Sequence, residues 1–131
     1  MDRTNRPASD DRWRVVERML AGWHALDAAA VIDCFADDAV MHNMMMDPLV
    51  GKPAIRGLLD MFFARAEKVE MEIVSRAVAG DTVMIERRDH FIWAGRAGVL
   101  PVVGVFEVRD GLIRSWREYF DRPTYERQAY G

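Results

Sequence analysis

The sequence predicts an α+β domain, with helices first and then a curved antiparallel sheet that wraps them and stays open at one end. Two observations carry this. Apolar residues recur at helical spacing as far as Ala66, and from Val69 onward they alternate with polar ones at the period of strands. The second half also carries two tight-turn pairs, Gly80-Asp81 and Asp110-Gly111, of the kind that reverse a chain between paired strands.

In chain order, Met1 to Ala8 reads as a disordered lead-in and residues 9–131 as one domain, a length that suits a single core or a core with one cavity. Ser9 is the expected cap of a helix from Asp10 to about Leu26, with Asp10 and Asp11 favouring the helix dipole. Trp13, Val16, Leu20, Trp23 and Leu26 form its buried stripe. Asp27 caps a shorter helix through Phe35, and a short extended segment follows from Ala39 to Asn43. A loop then runs through Asp47-Pro48 and Gly51. Pro53 suits the first turn of a third helix, whose stripe is Ile55, Leu58, Leu59, Phe62 and Ala66. Val69, Met71 and Ile73 begin a long strand, which returns as Thr82 to Trp93. Gly95 to Gly98 turns the chain into Leu100 to Val108, with Pro101 near the start, where a missing amide is least costly. Leu112 to Phe120 is the last strand, and Pro123 opens a final helical turn.

Composition narrows the function classes. A formal charge of −3, with acids and bases interspersed, leaves no basic face for a nucleic-acid backbone. The N-terminal MDRTNRPASDD has no apolar run and no segment approaches membrane-spanning length, so no membrane partner and a cytoplasmic location are expected. The single cysteine, Cys34, precludes a disulfide framework and reads as a buried structural thiol. The histidines His24, His42 and His90 are scattered, none at ligand spacing with another, so no metal site is expected. Ile92, Val103 and Val105 give the sheet a second, partly apolar face, which predicts a homodimer.

The strand Thr82 to Trp93 raises the functional question. Val83, Ile85, Phe91 and Trp93 share one face, and the same alternation adds Arg87 and Asp89 to it. The last strand repeats the pattern, with Arg114, Trp116, Glu118 and Phe120 on one face. If these strands are neighbours, Arg87, Asp89 and Glu118 meet in one apolar space. Burying a lone ion costs several kcal/mol, so such charges must be paired, and a planar guanidinium can bridge two carboxylates. Burial then raises one carboxyl while the arginine keeps the other ionised, which separates the pair into an acid and a base. Spacing alone leaves two readings open, a catalytic pair and a structural bridge. Asn43 can both donate to and accept from a bound water, and it is equally a common turn residue. Met41, Met44, Met45 and Met46 offer a soft lining for an apolar ligand or simple packing.

The HN of the early strand, the ERRD of the middle strand and the closing GVFEVRDGLIRSWREYFD together resemble limonene-1,2-epoxide hydrolases. These belong to the nuclear transport factor 2-like, or SnoaL-like, superfamily. The likeness runs from the first helix to the C-terminus and is densest from Glu86 to Asp121. It implies a cone-shaped α+β barrel of cystatin-like type, with an antiparallel or mixed sheet, usually dimeric and without metal or organic cofactor. It further implies one-step opening of a small apolar epoxide to a vicinal diol. By position, Asp89 would protonate the epoxide oxygen, Glu118 would activate water, Arg87 would bridge them and Asn43 would help hold the water. Met41, Met44, Trp116, Phe91 and Ile85 would line the substrate pocket. This chain departs at two positions, with Glu118 for the family's Asp and Met41 for its Tyr. Related SnoaL-like isomerases or cyclases, and a non-catalytic binding module on the same cone, are the alternative expectations.

Overall fold

Trp13, Val16, Met19, Leu20 and Trp23 fall on one stripe of α1 (Ala8–His24), and all are buried against the sheet. The structure is a computed structural model that describes residues 8–131. Most of the expected lead-in lies outside these residues. Ala8 already belongs to α1, so Ser9 falls inside the helix instead of capping it. Asp27 does cap α2 (Ala28–Ile32), accepting from the Ala30 N–H at 3.0 Å. That helix stops well before Phe35, because Phe35 opens β1 (Phe35–Asn43).

The expected loop after β1 contains a two-residue strand, β2 (Leu49–Val50), which pairs with Val40 and Met41. Pro53 sits in the first turn of α3 (Lys52–Phe63), which buries Ile55 and Leu59. Ala66 is not part of its stripe, since it begins β3 (Ala66–Ala79). β4 (Thr82–Trp93) has the bounds expected of it. β5 (Arg96–Arg109) starts earlier than expected, because the reversal needs only Ala94 and Gly95, both at positive φ. Asp110 and Gly111 make the next reversal, also at positive φ, into β6 (Leu112–Tyr119). The final helical turn is a full helix, α4 (Arg122–Tyr130), capped by the Asp121 carboxylate on Thr124 N–H.

Six strands form one unclosed mixed sheet in the order β2-β1-β6-β5-β4-β3. All neighbours are antiparallel except β1 and β6, which run parallel and pair Asn43 with Glu118. α1 and α3 fill the concave side with a core that includes Phe35, Ile85, Phe106, Ile113 and Trp116. Pro101 lies mid-strand, not near the start of β5. Its missing amide does no harm, because β6 begins to pair with β5 only at Val103, so this stretch of β5 is bonded to β4 alone. α4 covers that bare edge, where the Gln128 side chain accepts from Val99 N–H.

One parity expectation fails. Arg114 does not share the inward face with Trp116, because the β5–β6 register slips between Glu107 and Val108. Ile113 is buried in its stead, and Arg114 reaches exposed Asp110 and Asp38 at 3.4 and 4.0 Å.

Candidate active site

Alternation along β4 turns Val83, Ile85 and Arg87 inward in succession, so the guanidinium is carried into the concave side with the apolar residues. Arg87 is only 1% exposed. Its Nε donates to Asp89 Oδ1 at 2.8 Å and its Nη2 to Asp89 Oδ2 at 2.8 Å. On the other side Nη1 donates to Glu118 Oε2 at 3.0 Å, and Nη2 also donates to Glu118 Oε1. One fork thus holds two carboxylates.

Burial pushes the Glu118 carboxyl above its ordinary value; the ion pair and hydrogen bonds with Arg87 pull it back, and the neighbouring Asp89 charge adds to the rise. Burial pulls the Arg87 guanidinium down, but Glu118 and Asp89 together outweigh that and hold it above the ordinary arginine range. Glu118 is as enclosed as the core around it, whereas the Asp89 side chain keeps 15% of its surface exposed. The Asp89 side of the array is therefore the one open to solvent.

The two strands carrying these groups are not neighbours, contrary to the sequence reading, because β5 runs between β4 and β6. The ion pair crosses β5 at Gly104, which is paired with Ile85 on one side and Glu118 on the other. A Cβ there would lie 2.6 Å from Arg87 Nη1 and 2.8 Å from Glu118 Oε2. Sequence reasoning missed Gly104. The available signal was a glycine flanked by valines in the interior of a strand, a mark of close approach by another group.

The trio lies on the wall of a cavity of about 480 Å³. Trp23, Phe62, Met71, Phe91 and Trp116 contribute to its apolar lining, and Asn43 brings an amide to it from β1 beside Glu118. The exposed Arg122 and Glu126 of α4 also line it. Of the expected pocket residues, Met41, Phe91 and Trp116 line this space, and Met44 and Ile85 do not. Ile85 sits two residues before Arg87, where core side chains fill the concave face, and it is fully buried. Met44 follows the end of β1 and gives its backbone N–H to the Glu118 carbonyl, while Met46 reaches the cavity in its place. Met45 is 91% exposed. Trp23, Phe62 and Met71 were not expected at the site; helix periodicity identifies Trp23 and Phe62 as buried without saying which cavity they face.

His90 points to the opposite face of β4, against Glu72 at 2.8 Å. Among the described residues, no group of three or more His, Cys, Asp or Glu side chains could hold a metal ion, and no helix is long and apolar enough to cross a membrane.

Residues 16–116 match the SnoaL-like domain. The chain belongs to the SnoaL-like family. Within reach of this SnoaL-like chain is epoxide hydrolase EphG of Mycobacterium tuberculosis, 33% identical over 106 residues that make up 81% of this chain and 70% of that protein. A solved M. tuberculosis LEH-like epoxide hydrolase superposes with a TM-score of 0.83 at 30% identity, over 93% of this chain and 91% of the other. A candidate polyketide cyclase from Xanthomonas campestris superposes equally well, with a TM-score of 0.83 over 92% of this chain and 97% of the other, but at 18% identity. That second likeness is one of fold alone.

Proposed function

We propose that this SnoaL-like protein is a cofactor-independent epoxide hydrolase, adding water to a small apolar epoxide to give a vicinal diol. The observation that carries this reading is the Arg87 fork binding Asp89 and Glu118 at once on the wall of an apolar cavity. The likeness to M. tuberculosis EphG and to a solved M. tuberculosis LEH-like structure, each named as an epoxide hydrolase, supports it.

In the proposed step Asp89 enters protonated and gives its proton to the epoxide oxygen as the C–O bond breaks. Glu118 enters ionised and takes a proton from the water that attacks the ring carbon. A carboxylate held above its ordinary value by burial is a stronger base than a solvated one, which suits Glu118 to this task. Asn43, paired with Glu118 across β1 and β6, is positioned to hold that water. The diol leaves with one proton from Asp89 and the water's hydroxyl. The proton gained by Glu118 returns to Asp89, through solvent at the more open side, and restores the array. Arg87 stays cationic throughout and keeps the two acids electrostatically coupled.

One observation favours a second assignment. Glu118 is the more deeply buried acid, so it has the stronger reason to carry the resting proton. Reversed roles would make it the acid and Asp89 the base. Carboxyl-carbon NMR of the resting protein separates the two, since only one of the acids carries the proton. A non-catalytic binding role is favoured by Met41, whose thioether cannot donate a hydrogen bond to a water. For the dimer we propose the outer sheet face, where Met84, Val99 and Val103 are each more than 40% exposed.

The deciding experiment incubates the purified protein with limonene oxide and cyclohexene oxide in ¹⁸O-water and looks for labelled diol. Diol formation excludes the binding role. No turnover across a broad epoxide panel, with thermal stabilisation by the same compounds, replaces the hydrolase reading with it.

A further inference from the structure

Gly104 stands in the interior of β5, paired on both sides, where a glycine forfeits side-chain packing and backbone order. Its backbone does not call for glycine, since it is absent from the residues at positive φ. What the position lacks is space. The ideal Cβ would sit 2.6 Å from Arg87 Nη1, 2.8 Å from Glu118 Oε2 and 3.1 Å from Phe106 Cε1, all inside the ~3.5 Å at which unbonded atoms attract. Arg87 and Glu118 are tied to each other and buried, so neither can swing away without breaking the pair.

We infer that Gly104 is a positioning residue for the acid pair, matched to the length of Glu118. The bare Cα of β5 is the seat in which the longer carboxylate lies down to meet Arg87. An Asp at position 118 would end about 1.5 Å short of that seat, the length of one C–C bond. Its oxygen would then stand up to about 4.3 Å from a Cβ at 104, in place of 2.8 Å, which leaves the guanidinium room to shift with its counter-ion. Gly104 with Glu118, and a small side chain with Asp, are therefore two self-consistent sets, and the mixed pairs are not. The inference concerns the site of the proposed hydrolase and rests on that reading for its kinetic arm only.

The test compares Gly104→Ala, Glu118→Asp and the double variant with the unaltered protein. Two readouts are taken: kcat/KM on an epoxide that is turned over, and titration of the residue-118 carboxyl carbon by NMR. Gly104→Ala is expected to lower kcat/KM about 100-fold, the scale of an ångström misplacement. Its carboxyl should titrate at higher pH, because burial persists while the Arg87 contact is lost. In the double variant kcat/KM should exceed the product of the single effects by at least about 10-fold, a coupling expected of contacting groups. Its titration should return to that of Glu118→Asp alone.

A Gly104→Ala protein that titrates like the unaltered one, or a double variant that follows the product of its singles, overturns the inference. If Gly104→Ala does not fold, restoration of folding by Glu118→Asp supports the match and failure to restore it refutes the match. If no protein turns over any epoxide, the titration arm still decides, and the hydrolase reading alone falls.

Discussion

Replacing Arg87 with Met removes the cation that Glu118 touches while keeping an apolar stem in the core. Four hydrogen bonds to two carboxylates go with it. Breaking a buried pair by deleting one partner costs about 3–5 kcal/mol, because the other charge is left without compensation. Glu118 has a way out, which is to take up a proton. For a carboxyl of ordinary value 4.5, being neutral at pH 7 costs 1.36 × (7 − 4.5), about 3.4 kcal/mol, so this caps the charge contribution at that pH. At pH 5.5 the same product is 1.36 × (5.5 − 4.5), about 1.4 kcal/mol. The sign follows from linkage. A group raised on folding contributes stability that is fully present below its unfolded value and is lost as pH rises through its folded value. Glu118 is raised already in the unaltered protein, and losing Arg87 raises it further, so the window of loss extends upward. Urea unfolding at pH 5.5 and 7 measures this. The variant is expected to be destabilised by about 3–4 kcal/mol at pH 7 and by less at pH 5.5, with a difference of at most roughly 2 kcal/mol because Glu118 is already raised in the unaltered protein. A loss below about 1 kcal/mol at pH 7, or one equal at both pH values, refutes the electrostatic account of the trio.

Three further outcomes are expected. Asp89→Asn keeps an acceptor for Arg87 but cannot release a proton, so diol formation should fall about 10²- to 10⁴-fold with an unchanged circular dichroism spectrum; residual activity within threefold removes Asp89 from the chemistry. The acid limb of the kcat/KM profile should lie above 4.5, because Glu118 must be ionised to act as base and burial raises it; a limb at or below that value counts against Glu118 as the base. Val103→Glu puts a charge on the exposed outer face of β5 and should convert the proposed dimer to monomers in light scattering; a dimeric variant moves the interface elsewhere, and an unaltered protein that is monomeric refutes the dimer.

Strong alternation made β4 legible from Thr82 to Trp93, and with it the inward direction of Arg87 and Asp89, because no bulge interrupts its pairing with β5. The β3–β4 ladder does slip, between Ile73 and Ser75, yet the slip leaves the face of Arg87 unchanged. Phe35 and Ala36 are consecutive and both buried, so β1 begins with no alternation to announce it, at the irregular end of its pairing with β6. Arg114 was misread for a related reason, since the period of two holds only while the register does. Met44 and Met46 could not be told apart because a loop has no period. The tight turns on either side of β5 already implied that it lies between β4 and β6, but no local pattern told that Arg87 and Glu118 reach each other across it at Gly104.

The parallel join of β1 and β6 has a kinetic consequence. Asn43 and Glu118 are neighbours in the sheet but 75 positions apart in the chain (118 − 43), so their contact closes one of the longest loops in the fold. As the chain leaves the ribosome, helices and the β3–β4 hairpin can form from what has already emerged, whereas β1 must wait for a strand made almost last. A chain cut short before Leu112 has no β6 to complete that join or to carry Glu118 to its arginine.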